Sequence, residues 1–323
     1  MLAVEVEIQG GPEVLRVVDR ADPSPGPGQL LVDVTAAGVN FVEIYQRSGI
    51  YPRPTPFVLG SEGAGVVRAV GAGVDGIKPG DRVAWTDAPG SQAQRVVVDA
   101  DRAVVLPEKV SEELGAAVML QGLTAHYLAT STYPVQSGDT VVVHAAAGGV
   151  GALLTQIVKH RGGRVLATVS SAEKEEVARS AGADEVIRYD QVDFAPEVRR
   201  LTGGEGAAAV YDGVGRTTFD GSLASLRPRG YLVLYGGASG QVPPFDLQRL
   251  NQGGSLFVTR PSLVHYITTR EEFLWRTGEL LEWVASGELE VRIGGRYPLG
   301  EVRRAHEDLE GRRTTGKLLL LTQ

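Results

Sequence analysis

Cysteine is missing from all 323 residues. Its absence removes disulfides, thiolate nucleophiles, thiolate-bound zinc and cysteine-ligated iron–sulfur clusters together. Long apolar runs are missing too, since no stretch approaches the roughly 18 uninterrupted apolar residues that cross a bilayer. The chain opens on the strand-like segment from Met1 to Gly10 rather than on a basic segment followed by an apolar one. A cytoplasmic protein without a membrane partner is therefore expected. Excess positive charge is also lacking: 32 Lys and Arg stand against 39 Asp and Glu, a formal charge of -7. Nucleic acid is not an expected partner, because binding a polyanion relies on a basic face. No Gly-x-Ser-x-Gly elbow exists; Gly237-Ala238-Ser239-Gly240 runs on into Gln241. The five histidines, at 126, 144, 160, 265 and 306, show no pair at metal-ligand spacing, so no metal site is expected.

What is present is the composition of a packed enzyme, with 43% hydrophobic and 22% charged residues, and a length suited to two domains. Up to about residue 122 the chain alternates short apolar runs such as Leu30 to Val34, Gly65 to Val70 and Arg95 to Val98 with Pro/Gly turns, and it reads as mostly β. Ser111 can cap a helix whose first turn holds Glu112 and Glu113. After Gly138-Asp139 strands and helices alternate: strands near 140–145, 164–169, 185–189, 207–212, 231–236 and 255–259, helices near 149–161, 172–181, 192–202 and 216–226. Six such strands predict a parallel, doubly wound α/β sheet covered on both faces. From about residue 263 the rhythm stops. A helix over Glu271 to Ser286, a strand from Arg292 to Tyr297, a short helix near 300–310 and a strand from Lys317 to Leu321 return the tail to the first domain. The expected boundaries are 1–122 with 263–323, and 123–262 between them.

The most informative stretch runs from Thr140 through Ala145-Ala146-Ala147-Gly148-Gly149-Val150-Gly151 into Ala152 to Lys159: strand, glycine turn, helix. Gly149 and Gly151 lack Cβ, so backbone can approach a pyrophosphate and unpaired amides at the helix start favour the anion. Ala147 stands where the commoner fingerprint has its first glycine. NAD-specific sites place an acid at the end of the second strand, and here that strand ends Thr168-Val169-Ser170-Ser171. Ser170 or Ser171 can donate to a 2′-phosphate, Lys174 can neutralise it and Tyr189 can close the pocket, which favours NADPH over NADH. The same residues also form a capping box, Ser170-Ser171-Ala172-Glu173, with Lys174 merely exposed. His144 fits a satisfied structural histidine better than a general base, and Asp212 can touch the cofactor or cap the next helix.

Several segments then carry a family resemblance over essentially the whole chain: Gly38-Val39-Asn40-Phe41 with Tyr45, Arg47 to Pro52, Gly60 to Gly65, Gln121 to Ala125, His144 to Gly151, Tyr211 to Gly215, Thr259 to Leu263, and Gly316-Lys317. The sequence resembles the zinc-free quinone oxidoreductases, including the zeta-crystallins, of the medium-chain dehydrogenase/reductase superfamily. Where zinc-dependent relatives carry a ligating cysteine this chain has Asn40, and where they carry histidine it has Ser61. The resemblance implies a GroES-like, mostly β catalytic domain, an inserted Rossmann domain, a cleft between them and a homodimer joined through the Rossmann domains. It implies NADPH-dependent, zinc-free reduction of a quinone. It places Asn40 and Tyr45 beside the nicotinamide and Tyr51 in the substrate pocket. Thr124, Gly148, Gly149, Val150, Gly151, Ser170, Ser171, Lys174, Tyr189, Gly236 and Lys317 follow as cofactor contacts. Asn40 can bond the ribose or an incoming carbonyl, and Tyr45 can stack or donate its hydroxyl, though each can equally serve only to hold a loop. Reduction of α,β-unsaturated ketones or enoyl substrates needs the same cofactor and is the nearest alternative. A cofactor-regulated structural or RNA-binding protein is the more distant one.

Overall fold

Short valine- and alanine-rich runs broken by proline and glycine become eight strands in the first third of the chain. They are β1 (Leu2–Val6), β2 (Leu15–Asp19), β3 (Gln29–Val39), β4 (Phe57–Val58), β5 (Glu62–Val70), β6 (Arg82–Thr86), β7 (Arg95–Asp99) and β8 (Ala103–Val105). Two helices belong to this stretch, α1 (Phe41–Arg47) and α2 (Glu112–Tyr127). The computed structural model describes residues 1–322. The chain divides into two compact units: Met1–Leu123 with everything from Ile267 onward, and Thr124–Tyr266.

The second unit alternates strand and helix. Its elements are β9 (Thr140–Val143), α3 (Gly149–His160), β10 (Arg164–Val169), α4 (Ala172–Ser180), β11 (Glu185–Arg188), α5 (Phe194–Leu201), β12 (Ala207–Asp212), α6 (Phe219–Ala224), β13 (Leu226–Leu234), α7 (Gln248–Gln252) and β14 (Phe257–Thr259). All pairs are parallel, in the order β11-β10-β9-β12-β13-β14. That order reverses direction between β9 and β12, the switch point at which such sheets bind dinucleotides. Val142, Leu166, Ile187, Val210 and Leu232 from five neighbouring strands pack with Phe194, Val198 and Phe219 into one core. Helix α3 shows how the sequence sets the layer: Leu153, Leu154, Ile157 and Val158 recur at helical spacing and are buried, while Lys159 and His160 sit in the last turn, where the dipole favours cations.

Residues from Ile267 onward form α8 (Arg270–Ser286), β15 (Ile293–Pro298), α9 (Val302–Glu310) and β16 (Lys317–Leu321). Strand β16 inserts between β15 and β3, completing a sheet of order β15-β16-β3-β5-β6-β8 with β7 also on β3. Alternate residues Leu30, Val32 and Val34 of β3 meet Val67, Val83, Trp85 and Val98 in a buried cluster, where the Trp85 indole finds Ser91 Oγ at 2.9 Å. Strands β2-β1-β4 form a separate small sheet. Among the described residues, no helix is long and apolar enough to cross a membrane.

Element ends depart from the sequence expectation for local reasons. Strand β9 stops at Val143 rather than near 145 because Ala145 turns into the left-handed region, φ 50°, to start the glycine turn. The helix expected over 216–226 shrinks to α6 because Asp212 draws the preceding residues into a turn, accepting from Val214 and Gly215 N–H at 2.8 and 2.9 Å. Strand β13 begins at Leu226, earlier than expected, and passes Arg229 at φ 60°.

Candidate functional site

The turn after β9 is built so that a helix start comes close to its strand. A Cβ on Gly151 would lie 2.4 Å from the Ala145 carbonyl oxygen and 2.7 Å from Ala146 Cα, both backbone atoms that cannot move aside. Gly148 is the N-cap of α3, and its carbonyl accepts from Ala152 N–H at 3.0 Å. The amides of Gly149, Val150 and Gly151 precede any intrahelical acceptor, and among the described residues none of them donates to another main-chain or side-chain group. Three convergent donors at the positive end of a 12-residue helix fit a diphosphate.

Beside this turn, β10 ends at Val169, paired in register with Arg188 of β11. Ser171 caps α4, its hydroxyl accepting from Lys174 N–H at 3.3 Å, and Lys174 Nζ reaches Ser170 Oγ at 3.4 Å. Tyr189 N–H donates to the Val169 carbonyl at 3.2 Å and its ring is 42% exposed. Ser170, Ser171, Lys174 and Tyr189 thus gather at the carboxyl ends of two adjacent strands. The capping box expected over Ser170 to Glu173 does not form: Ser171 is the N-cap, the residue three further on is Lys174 rather than Glu173, and Lys174 is half-buried with its ammonium turned to Ser170 rather than merely exposed. Gly236 follows β13, where a Cβ would meet the Gly213 carbonyl at 2.5 Å. Thr124 lies on α2, 8% exposed.

Asp212, at the end of β12, faces inward. Its carboxylate takes Thr218 Oγ1 at 2.9 and 2.7 Å and Ser222 Oγ at 2.9 Å. Ser222 also meets His144 Nε2 at 3.0 Å, and His144 Nδ1 meets Thr168 Oγ1 at 2.7 Å. Both ring nitrogens are therefore used at 1% exposure, and burial holds the imidazole below its ordinary range against the pull of Asp212. This is a structural network, not a base aimed at a ligand.

In the first unit the sequence motif Asn40-x-x-Glu43 forms a capping box at the start of α1: Asn40 N–H donates to Glu43 Oε2 at 2.5 Å. The rest of the network was not assigned from sequence. Asn40 Nδ2 donates to Glu43 Oε1 at 3.1 Å and to Glu62 Oε1 at 2.9 Å. Asn40 Oδ1 accepts from Gln121 Nε2 at 2.5 Å and from Lys317 Nζ at 2.7 Å. The Lys317 ammonium also bonds Glu62 Oε1 and, at 2.9 Å, Gln121 Oε1, while Glu62 Oε2 takes Leu120 N–H at 2.7 Å. Asn40, Glu43, Glu62 and Lys317 are all at most 3% exposed. Burial lifts the Glu43 carboxyl to about 7, opposed by the Lys317 charge and the Asn40 donors.

Asn40 and Lys317 were expected to meet coenzyme or acceptor; in the structure the hydrogen-bonding groups of both side chains are fully committed inside the protein. Tyr45 and Tyr51 do come together, edge to face with ring centroids 5.1 Å apart, and Tyr51 is 37% exposed. At the far end of α1, buried Arg47 meets His306 Nδ1 at 3.1 Å and Glu310 at 2.7 Å, tying α1 to α9. Burial and that guanidinium push His306 down to about 3, so its ring is neutral. Among the described residues, no group of three or more His, Cys, Asp or Glu is arranged to hold a metal ion.

Fold and residues together define a dinucleotide-binding dehydrogenase or reductase. The model for the alcohol dehydrogenase GroES-like domain matches residues 26–132, and that for the zinc-binding dehydrogenase matches residues 149–282. Quinone oxidoreductase 1 of Escherichia coli (strain K12) is 44% identical over 322 residues, 98% of each chain. A mycobacterial protein solved in complex with NADPH superposes with a TM-score of 0.98 at 53% identity, covering 100% of both chains. Escherichia coli quinone oxidoreductase in complex with NADPH gives the same TM-score at 43% identity, again over 100% of both. The chain belongs to the quinone oxidoreductase family.

Proposed function

We propose that the protein reduces quinones with NADPH, without zinc. The observation that carries this reading is the set of unengaged amides at Gly149, Val150 and Gly151 beside the cluster Ser170, Ser171, Lys174 and Tyr189. The first set takes the diphosphate and the second the adenosine 2′-phosphate; no acid ends β10 to repel it. Thr124 and Gly236 complete the coenzyme contacts. NADPH, when bound, supplies a hydride. The chain's own part is to orient coenzyme and acceptor and to exclude water, so proximity provides most of the acceleration.

Tyr45 and Tyr51 offer ring surface to a planar acceptor. Asn40 and Lys317 act behind them as positioning residues that hold the start of α1 in place. The zinc-free reading rests on the donor set. Glu62 Oε1 is already held by the Lys317 ammonium and by Asn40, and a dication would compete with a fixed cation for that oxygen.

A cytoplasmic homodimer completes the proposal. NADPH is made and recycled inside cells, and β14 is an outer strand of its sheet, with Phe257 49% exposed and stacked on Tyr231 at 4.5 Å. An outer strand with unpaired backbone groups and an exposed aromatic is suited to pair with a second copy. Phe257→Asp is expected to move the sedimentation coefficient from dimer toward monomer.

The test of the activity is loss of the reduced-nicotinamide absorbance on mixing protein, NADPH and 1,4-benzoquinone or a naphthoquinone, with enones and enoyl thioesters as weaker acceptors. A rate no higher than that of the reagents alone would refute the reading.

A further inference from the structure

Glu43 has no exposed surface, and its partners are unequal. Oε2 accepts the Asn40 main-chain N–H, while Oε1 accepts from Asn40 Nδ2 at 3.1 Å and from Ser61 Oγ at 3.0 Å. Asn40 leads only inward, to Glu62, Gln121 and Lys317, none more than 8% exposed. Ser61 is half-buried. Of the residues that bond the Glu43 carboxyl, Ser61 alone is not buried. The capping box explains Oε2; it does not explain why the second oxygen is tied to a hydroxyl on a neighbouring loop.

We propose that Glu43 is the proton store for the reductive reaction and that Ser61 passes its proton to the reduced acceptor; this rests on the quinone reduction proposed above. With a proton on Oε1, the 3.0 Å link to Ser61 reverses: the carboxyl donates, the hydroxyl accepts, and the hydroxyl hydrogen turns outward. Hydride transfer gives the quinone two electrons and leaves a negative charge on one of its oxygens. That oxygen takes the Ser61 hydroxyl proton as the Glu43 proton moves onto Ser61 Oγ. One O–H bond forms on the product for the one broken at Glu43. The carboxylate left behind is reprotonated from water by the same route. The charged groups facing Glu43 are Lys317 from β16 and Glu62 from β5. They form an ion pair with each other and pull Glu43 in opposite directions, the Lys317 charge lowering it and the Glu62 charge raising it. Burial then keeps the carboxyl near 7, the range in which a proton donor works best at neutral pH.

Two measurements test this. Infrared difference spectra of the coenzyme-free protein between pH 5 and 9 are expected to show a protonated carboxyl band that disappears around pH 7 and is missing in Glu43→Gln. In steady state with NADPH and 1,4-benzoquinone, the wild-type kcat is expected to fall as pH rises above about 7. Glu43→Gln removes that limb and lowers kcat about 100-fold, with KM for the quinone within about twofold. Ser61→Ala lowers kcat in the same way but keeps the infrared titration, and Ser61→Thr restores turnover. A pH limb that persists in Glu43→Gln, or a carboxyl band that survives the substitution, would overturn the assignment. Wild-type protein inactive toward every quinone would instead sink the reaction reading, and the infrared titration would still decide whether Glu43 holds the proton.

Discussion

Replacing Lys317 with methionine keeps most of the apolar stem and deletes the ammonium. Three acceptors then lose a donor: Glu62 Oε1, Asn40 Oδ1 and Gln121 Oε1. Asn40 Oδ1 keeps Gln121 Nε2, and Glu62 keeps Asn40 Nδ2 and the Leu120 amide, so the damage concentrates on one unpaired carbonyl and one unneutralised carboxylate. Glu62 is fully buried, and removing one partner of a buried ion pair costs about 3–5 kcal/mol. With a urea dependence of about 2 kcal/mol per molar, the unfolding midpoint should fall by about 1.5–2.5 M. Adding Glu62→Gln removes the stranded charge, and the double variant should return to within about 1.5 kcal/mol of wild type. A double-mutant cycle in urea reads this as a coupling of at least about 1.5–3.5 kcal/mol. A single variant that loses less than about 1 kcal/mol, or a pair whose effects simply add, would refute the claim that the lysine neutralises Glu62.

Lys174→Ala should weaken NADPH binding about tenfold or more, the worth of a charge-assisted contact, while leaving NADH almost unchanged; an unaltered ratio of the two dissociation constants in calorimetry would remove Lys174 from the phosphate site. Gly151→Ala forces a Cβ onto the Ala145 carbonyl, so α3 must shift from β9; the expected outcome is a stability loss of about 1–3 kcal/mol and coenzyme affinity down at least tenfold by fluorescence titration. Glu43 has its folded value raised from 4.5 to about 7, so the folded state holds a proton that the unfolded chain has released. Its contribution is full below 4.5 and lost as pH rises through 7. Stability of the wild type relative to Glu43→Gln should therefore fall by up to about 1.4 kcal/mol per pH unit across that window in urea titrations.

The nucleotide-binding half was legible because its signals are local. Buried strands such as Val141-Val142-Val143 give apolar runs, helices such as α3 give helical spacing, and the turn between them needs glycine, so a short window contains the whole pattern. His144 was likewise readable as a core residue from its place directly after the apolar run Val141-Val142-Val143, and both its nitrogens are bonded. Contacts distant in sequence were not legible. Nothing near Gly316-Lys317 announces Glu62 as a partner, and Gln121 sits in a helix whose pattern shows only burial. The spacing of Asn40 to Glu43 spells a helix start, which the structure shows as the capping box of α1. The left-handed Ala145 and the early onset of β13 depend on packing that pattern reading does not reach.

The placement of β16 has a bearing on how the protein is made. Lys317 follows Glu62 by 255 residues. At roughly 5–20 residues per second a ribosome needs about 13–50 s to supply the partner. During that interval the Thr124–Tyr266 segment emerges as an uninterrupted stretch and can collapse by itself. The older part of the nascent chain waits with β3 lacking a neighbour and a carboxylate lacking its counter-charge. Translation therefore completes the first-synthesised portion last, and that waiting edge is where nascent-chain chaperones have most to protect.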